Sequence, residues 1–190
     1  MKISVLIPTL NPNKEYLRKA LSSIPSNVDE VVLAGHGFDV EQCKDYLHQN
    51  VEVKVFKTTE GLTDTINQAV KEHITGNYFS ILPDDDFYLP GMETIIDIVK
   101  ASYADVFYFP SKNFINNEPC AGIFDDNPKV TYEKNFIKNQ ITGSAFIRKH
   151  AFIFLEGYKG DICQDWDLWN RALKSNLLFE YIDIPGIAFR

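Results

Sequence analysis

The most constraining feature of this sequence is a regular alternation, over residues 1–100, of short strand-type runs with amphipathic segments. The strand-type runs, apolar or alternating in character, are residues 3–7, 29–34, 51–56 and 78–82. The amphipathic segments, in which apolar residues recur at helical spacing, are residues 17–24, 40–47, 62–74 and 92–99. This alternation predicts right-handed crossovers and an α/β fold with a Rossmann-like, mostly parallel central sheet flanked by helices.

The second half of the chain has a less regular pattern. Strand-type runs recur at residues 105–109, 143–147 and 179–184, and helical patterns at residues 149–155 and 165–173. Residues 114–118 are typical of a hairpin with Asn116 and Asn117 in the turn and a returning strand at 121–124. We therefore predict a single domain over residues 1–190, in which a regular half (1–100) is followed by an irregular half (101–190).

Composition and charge narrow the range of partners. With 45% hydrophobic and 24% charged residues among 190, the chain is typical of a globular protein. A net charge of −7 disfavours nucleic acid, whose binding depends on many Lys and Arg contacts to phosphate.

The three cysteines form no CxxC pair, which favours a reducing cytoplasm over a zinc or disulfide framework. Since no apolar run approaches the roughly 18 residues of a transmembrane helix, we expect a cytoplasmic protein. Peripheral membrane attachment and homo-oligomerisation stay open.

An acidic cluster, Asp84, Asp85 and Asp86, directly follows the apolar run 78–82. Two carboxylates about 4 Å apart repel by roughly 4 kcal/mol at an effective dielectric near 20, and a bound cation removes that cost. Because open α/β sheets bind ligands at the carboxyl ends of their strands, the cluster predicts a site for Mg2+ or Mn2+ together with a substrate phosphate. A solvated acidic turn is the alternative for such a run taken alone, but the order of the surrounding elements favours the metal site.

Six short motifs, taken in order, resemble the GT-A fold of inverting glycosyltransferases of family 2. They are VLIPTLN at 5–11, EGLTDTINQA at 60–69, LPDDDFYLP at 82–90, TGSAFIR at 142–148, EGY and QDWDLW within 156–169, and IPGIAFR at 184–190. Each motif alone is weak, whereas their shared order extends the resemblance over nearly the whole chain.

The resemblance implies an enzyme that moves a sugar, of hexosyl type, from a nucleotide-diphosphate donor such as a UDP-sugar to a hydroxyl of a glycan or another acceptor. It implies a divalent metal, Mn2+ or Mg2+, held by Asp86 and Asp84, and it places Asp165 as the general base. These residue types suit the chemistry, because a departing diphosphate needs charge neutralisation and an acceptor hydroxyl needs a base.

The same resemblance makes residues 1–100 the nucleotide-sugar-binding half and residues 101–190 the acceptor-binding half. The donor-binding residues that it implies are Pro8, Thr9, Asn11, Gly61, Asn67, Asp84 and Asp85. The acceptor-binding residues that it implies are Thr142, Gly143, Gln164 and Trp166. Trp166 and its neighbour Trp169 have two interpretations, since an indole ring can stack on an acceptor sugar or pack in the core.

The chain departs from the family pattern at three places. Pro83 stands where many relatives carry the first Asp of the acidic motif, which leaves open how Asp84–Asp86 divide between metal and ribose. The second strand ends in Gly35–Gly37, without the acid that meets the nucleobase in relatives, so donor identity is open. His36 either substitutes for that acid or is a turn residue with no ligand role. Gln164 replaces the usual Glu before the base.

Two other functions are kept as alternatives. A nucleotidyltransferase on a related scaffold would need a Gly-rich phosphate loop with Lys or Arg after the first strand, and residues 8–11 are a poor substitute. A non-catalytic relative that binds a sugar nucleotide or a glycan would explain the missing acid after the second strand. Retention of Asp165 together with the acidic cluster argues against it.

Overall fold

The computed structural model describes residues 1–115, 118–120 and 129–190. Its strands are β1 (Ile3–Leu10), β2 (Glu30–His36), β3 (Glu52–Lys57), β4 (Tyr78–Ile81), β5 (Phe87–Tyr88), β6 (Val106–Tyr108), β7 (Ser111–Ile115), β8 (Glu118–Cys120), β9 (Phe146–Arg148), β10 (Phe179–Tyr181) and β11 (Ile187–Phe189). Its helices are α1 (Lys14–Ser22), α2 (Val40–Lys44), α3 (Leu62–Gln68), α4 (Met92–Ala101), α5 (Tyr132–Ile137), α6 (Lys149–Phe154) and α7 (Gln164–Lys174). A π-helical turn, Ala69–His73, continues α3.

Within the described residues the central sheet has seven strands in the order β10-β6-β9-β4-β1-β2-β3. Strands β1 to β4 of the regular half pair in parallel, as the alternating pattern predicts, and β3 lies at the edge. β9 runs antiparallel to both of its neighbours, β4 and β6. The predicted α/β fold with a mostly parallel sheet is therefore confirmed, with one antiparallel strand that the residue pattern does not reveal.

A second sheet joins the irregular half to the acidic segment. Its order is β5-β11-β7-β8, and β11 pairs antiparallel with β5 and parallel with β7. Strands β7 and β8 form the antiparallel pair of the predicted hairpin. Its predicted turn, Asn116 and Asn117, and the predicted return at 121–124 lie outside the described residues. The β5–β11 pairing brings Arg190 beside the acidic cluster.

The core lies on both faces of the central sheet because successive side chains of a strand point to opposite faces. In β1, Val5 and Ile7 pack into the cluster under α1 and α4, while Leu6 packs into the cluster under α3, α6 and α7. Trp169 is 1% exposed in that second cluster, which assigns it to the core. Each fully buried large aliphatic or aromatic side chain contributes about 1.5–3 kcal/mol, so the sheet that carries the site is well supported.

A buried ionic network holds the amino end of the same sheet. The Glu30 carboxylate, 0% exposed, accepts hydrogen bonds from Lys54 Nζ at 2.6 Å, from Ser4 Oγ at 2.5 Å and from the Thr75 backbone N–H at 2.9 Å. Burial alone would raise the pKa of Glu30, but these hydrogen bonds outweigh it and lower the pKa to about 2. The network ties β1, β2 and β3 together at the edge opposite the functional site.

Every helix of the described ranges is too short or too polar to cross a lipid bilayer.

Candidate active site

A cavity of about 490 Å³ opens at the carboxyl ends of β1, β2, β3 and β4. Its lining residues come from segments far apart in the chain and are Pro8, Thr9, Leu10, Gly35, His36, Thr58, Glu60, Gly61, Leu62, Thr65, Ile66, Ile81, Pro83, Asp84, Gly143, Ser144, Tyr158, Gln164, Asp165 and Phe189. This is the position at which open α/β sheets bind ligands.

The sheet order gives the cavity a direction. Along the sheet edge, the segment before β9 contributes Gly143, the segment after β4 contributes Asp84, and the ends of β1 and β2 contribute Thr9 and His36. Thr58 follows β3. Because neighbouring strands lie about 4.8 Å apart, the three steps from β4 to β3 span roughly 14 Å. The cavity is therefore long enough for an extended ligand with chemically different ends.

Asp84 is the member of the acidic cluster that lines the cavity. Its Oδ2 accepts a hydrogen bond of 2.5 Å from Thr9 Oγ1, which links the end of β4 to the end of β1. Burial raises the pKa of Asp84, and the negative charge of Asp85 adds to that effect, while the Thr9 hydrogen bond opposes it. Thr9 thus orients the carboxylate of Asp84.

Asp85 and Asp86 lie outside the lining of this cavity as the described residues form it. The Asp86 carboxylate is buried, and its Oδ1 accepts a hydrogen bond of 3.0 Å from the backbone N–H of Arg190. Burial raises the pKa of Asp86 to about 7. Asp85 is exposed, and its backbone carbonyl accepts a hydrogen bond of 3.1 Å from Arg190 Nε. The guanidinium of Arg190 also lies 3.8 Å from the ring centroid of Tyr16.

The acidic side chains fit a divalent cation that shares a substrate diphosphate. Within the part of the chain that the structure describes, no three His, Cys, Asp or Glu side chains form a complete protein cage. Mg2+ and related ions nevertheless often take only one or two carboxylates and complete their shell with phosphate oxygens and water. A nearby cation would also offset the burial that raises the pKa of Asp86. Asp84 and Asp86 are therefore the residues that would hold the metal, and the metal site stays a prediction.

Asp165 reaches the cavity from the first turn of α7. Its Oδ2 accepts a hydrogen bond of 3.1 Å from Asn139 Nδ2. Burial raises the pKa of Asp165, against the lowering effect of the Trp166 backbone N–H and of Asn139. A Cβ built on Gly143 would lie 3.6 Å from Asp165 Oδ2, so the backbone before β9 passes directly beside the carboxylate.

The structure brings some of the predicted site residues together in the cavity and leaves others outside its lining. The predicted residues that line it are Pro8, Thr9, Gly61, Asp84, Gly143, Gln164 and Asp165. The predicted residues outside the lining are Asn11, Asn67, Asp85, Asp86, Thr142 and Trp166. The roles assigned to both groups stay predictions, because no ligand contact tests them.

The contacts of three residues in the second group explain their positions. The side-chain amide of Asn67 hydrogen-bonds to the backbone of Tyr158. It donates to the carbonyl at 2.9 Å and accepts from the N–H at 2.8 Å. Thr142, 1% exposed, accepts from the backbone N–H of Ser144. Trp166 donates from Nε1 to the carbonyl of Asn135 at 2.5 Å. Asn67 and Thr142 thus hold Tyr158 and Ser144, which line the cavity, whereas Trp166 ties α7 to α5.

Tyr158 and Asn139 are site residues to which sequence reasoning assigned no role. Tyr158 lines the cavity and is 8% exposed, and both burial and the negative charge of Asp165 raise the pKa of its hydroxyl. The EGY motif contains Tyr158, so a signal was present in the sequence. Asn139 lies in the stretch 125–140 without a clear pattern, where no periodicity could have singled it out.

The family of the chain follows from comparison with known proteins. The sequence profile described as Glycosyl transferase family 2 matches residues 4–155, most of the chain. The chain belongs to glycosyl transferase family 2. This membership confirms the family that the six motifs predict. Comparison with curated proteins gave no match.

Solved structures of S. aureus TarS share the fold of this family 2 chain. The structure of TarS 1-349 has a TM-score of 0.75 and 18% identity, and covers 100% of this chain and 60% of that one. The structure of TarS 1-349 in complex with UDP-GlcNAc has a TM-score of 0.77 and 17% identity, and covers 99% and 58%. The corresponding complex with UDP has a TM-score of 0.77 and 17% identity, and covers 99% and 60%. The likeness confirms the predicted GT-A fold, and this chain spans 60% or less of those structures.

Proposed function

We propose that this chain is a metal-dependent, inverting glycosyltransferase that moves a hexosyl group from a UDP-sugar to an acceptor hydroxyl. The observation that carries the proposal is that Asp84 and Asp165 line one cavity of about 490 Å³ from different elements of the fold. A cavity of this size is typical of small-molecule sites. The TarS complexes with UDP-GlcNAc and UDP support a UDP-sugar as the class of donor.

Asp165 is suited to take the proton of the attacking hydroxyl. Its pKa is raised by burial, which makes the carboxylate a stronger base, while Asn139 stabilises the ionised form. Attack from the Asp165 side, with the diphosphate leaving toward Asp84, is a single displacement. Such a displacement inverts the anomeric centre.

Asp84 is suited to the leaving-group side of the reaction. Thr9 fixes one oxygen of its carboxylate by a hydrogen bond of 2.5 Å, and Asp86 follows two residues later. When bound to Asp84 and Asp86, a divalent cation supplies charge stabilisation for the departing diphosphate. Leu10 and Leu62 line the same cavity and help to exclude water from the donor.

Two assays test the proposal without knowledge of the natural acceptor. In a thermal-shift screen of UDP-, GDP- and dTDP-sugars, we expect a UDP-sugar with Mn2+ to raise the melting midpoint, since a ligand that binds only the folded state stabilises it. Product analysis with a mixture of sugar nucleotides should then show release of UDP and transfer or hydrolysis of the sugar. Binding without any product would favour the non-catalytic relative, and formation of a sugar nucleotide would favour a nucleotidyltransferase.

A further inference from the structure

His36 lines the cavity, and the roles proposed for Asp84, Asp86 and Asp165 give it no function. In the sheet order, Gly143 lies on one side of Asp84 at β9, and His36 lies on the other side, two strands away at β2. The reacting sugar has to lie between Asp165 and the diphosphate. The nucleoside must then extend past Thr9 toward the ends of β2 and β3, where His36 is.

The hydrogen bond made by Nδ1 of His36 determines whether the other ring nitrogen, Nε2, is a donor or an acceptor. Nδ1 lies 3.0 Å from the backbone carbonyl oxygen of Thr58. Because a carbonyl oxygen can only accept, Nδ1 carries the proton, and Nε2 of the neutral ring is an acceptor. In the described part of the chain, no residue hydrogen-bonds to Nε2. The ring thus offers a ligand one acceptor with no formal charge.

The backbone around His36 is held rigidly. Asn11 N–H donates to the His36 carbonyl at 3.0 Å, and Thr58 N–H donates to the Gly35 carbonyl at 3.2 Å. Gly35 has φ +133°, and a Cβ there would lie 1.8 Å from the Thr9 carbonyl oxygen. Gly37 has φ +83°, and a Cβ there would lie 2.2 Å from Asn11 Oδ1. The two glycines allow β2 to end tightly against β1, which fixes the backbone that carries the ring, and the Nδ1 hydrogen bond to Thr58 holds the ring itself.

We infer that His36 selects the nucleobase of the donor by accepting a hydrogen bond from the imide N3–H of uracil at Nε2. This inference rests on the proposed function and names the base-reading residue of the same site. Cytosine carries an unprotonated nitrogen at the equivalent ring position, which would place two acceptors against each other. The single acceptor at His36 therefore favours uridine over cytidine nucleotides, in a chain that lacks an acid after its second strand.

Isothermal titration calorimetry with nucleotides alone tests this inference. In the presence of Mn2+, we expect the native chain to bind UDP at least about tenfold more tightly than CDP, because CDP loses the hydrogen bond to Nε2 and places a second acceptor against it. His36→Phe should weaken UDP binding about tenfold and leave CDP binding nearly unchanged. His48→Phe, at an exposed position outside the cavity, is the matched control and should leave both affinities unchanged.

A modified nucleotide gives a second test that does not depend on the folding of a variant. The diphosphate of 3-methyluridine lacks the imide N–H, and we expect it to bind the native chain about tenfold more weakly than UDP. Equal binding of UDP and its 3-methyl derivative, or an unchanged preference for UDP in His36→Phe, would overturn the role of His36 alone. Failure of the native chain to bind either UDP or CDP would instead contradict the proposed function.

Discussion

The side-chain amide of Asn139 donates a hydrogen bond of 3.1 Å to Oδ2 of Asp165. The other end of the same amide accepts the backbone N–H of Ile141 at 3.2 Å, which fixes the orientation of the donor. Burial raises the pKa of Asp165, and this hydrogen bond opposes the rise by stabilising the ionised form. Asn139 therefore holds the carboxylate in place and favours the state in which a general base works.

Replacing Asp165 by Asn should abolish turnover and leave donor binding intact. The change removes the proton acceptor but keeps the size of the side chain, so kcat should fall by about 10²–10⁴, the usual contribution of a general base. Parallel measurement of kcat and of the UDP-sugar dissociation constant separates the two effects. Asp167→Asn, an equal change at an exposed residue of the same helix, is the control and should retain activity. Full activity of the Asp165 variant would reject the assignment.

Replacing Asn139 by Ala should shift the pH dependence of activity. Loss of the hydrogen bond removes a contribution that lowers the pKa of Asp165, so the base becomes protonated at a higher pH than in the native chain. The acidic limb of the kcat/KM profile should therefore move to higher pH. The loss of activity should be smaller on the alkaline plateau, where Asp165 is ionised in both proteins, than on the acidic limb. A profile of unchanged shape and midpoint, merely scaled down, would indicate that Asn139 only supports the fold.

The regular half of the fold could be predicted because its strands and helices carry strong local patterns. The predicted strands at 3–7, 29–34, 51–56 and 78–82 all exist as β1 to β4. The direction of β9 could not be predicted, since a short buried strand has the same apolar residue pattern whether it pairs parallel or antiparallel. Helix α5 lay in a polar stretch without a helical stripe, and its position comes from tertiary packing against α7.

The site could be predicted only in outline. The motifs identified Thr9 near the end of β1, Asp84 after β4 and Asp165 in the first turn of α7, and these three residues converge where the strands end. They did not reveal that Asn67 turns its amide to the backbone of Tyr158, because a surface amide and a structural one look alike in sequence. Burial of Asp86 depends on the pairing of β5 with β11, which joins segments a hundred residues apart.

Replacing Asp86 by Asn should stabilise the metal-free protein at alkaline pH. The pKa of Asp86 in the folded chain is about 7, above the ordinary value of 3.8. The free energy of unfolding therefore falls as pH rises from about 4 to 7, because the unfolded chain ionises this group more easily than the folded chain does. The neutral amide avoids that cost, which is of the order of a few kcal/mol. In EDTA, the melting midpoint of the variant should exceed that of the native chain at pH 8 and match it near pH 4. Asp85→Asn, at an exposed neighbour, should change the midpoint little.

The same Asp86 variant tests the predicted metal site. With UDP and Mn2+ present, the native chain should gain stability and the Asp86→Asn or Asp86→Ala chain should gain much less, since a carboxylate ligand is lost. Donor binding to the native chain should also weaken as pH falls through about 7 and Asp86 becomes protonated. Unchanged Mn2+-dependent binding in a calorimetric titration of the variant would count against Asp86 as a ligand.

Replacing Glu30 by Gln should destabilise the fold in a pH-dependent way. The pKa of Glu30 is lowered to about 2, so its stabilising effect is complete above the ordinary value of about 4.5 and is lost as pH falls toward 2. Because a buried ion pair that loses one partner costs about 3–5 kcal/mol, urea unfolding at pH 7 should show a loss of this size and unfolding near pH 2 a much smaller one. Glu52→Gln, at an exposed partner of Lys2, should change stability little.

The most direct test of the account is a crystal structure of the chain with UDP and Mn2+. We expect the diphosphate and the metal beside Asp84, the uracil ring beside His36, and open space for a sugar between the diphosphate and Asp165. A nucleotide bound away from the cavity, with Asp84 and Asp165 facing no part of it, would contradict the proposed glycosyltransferase site.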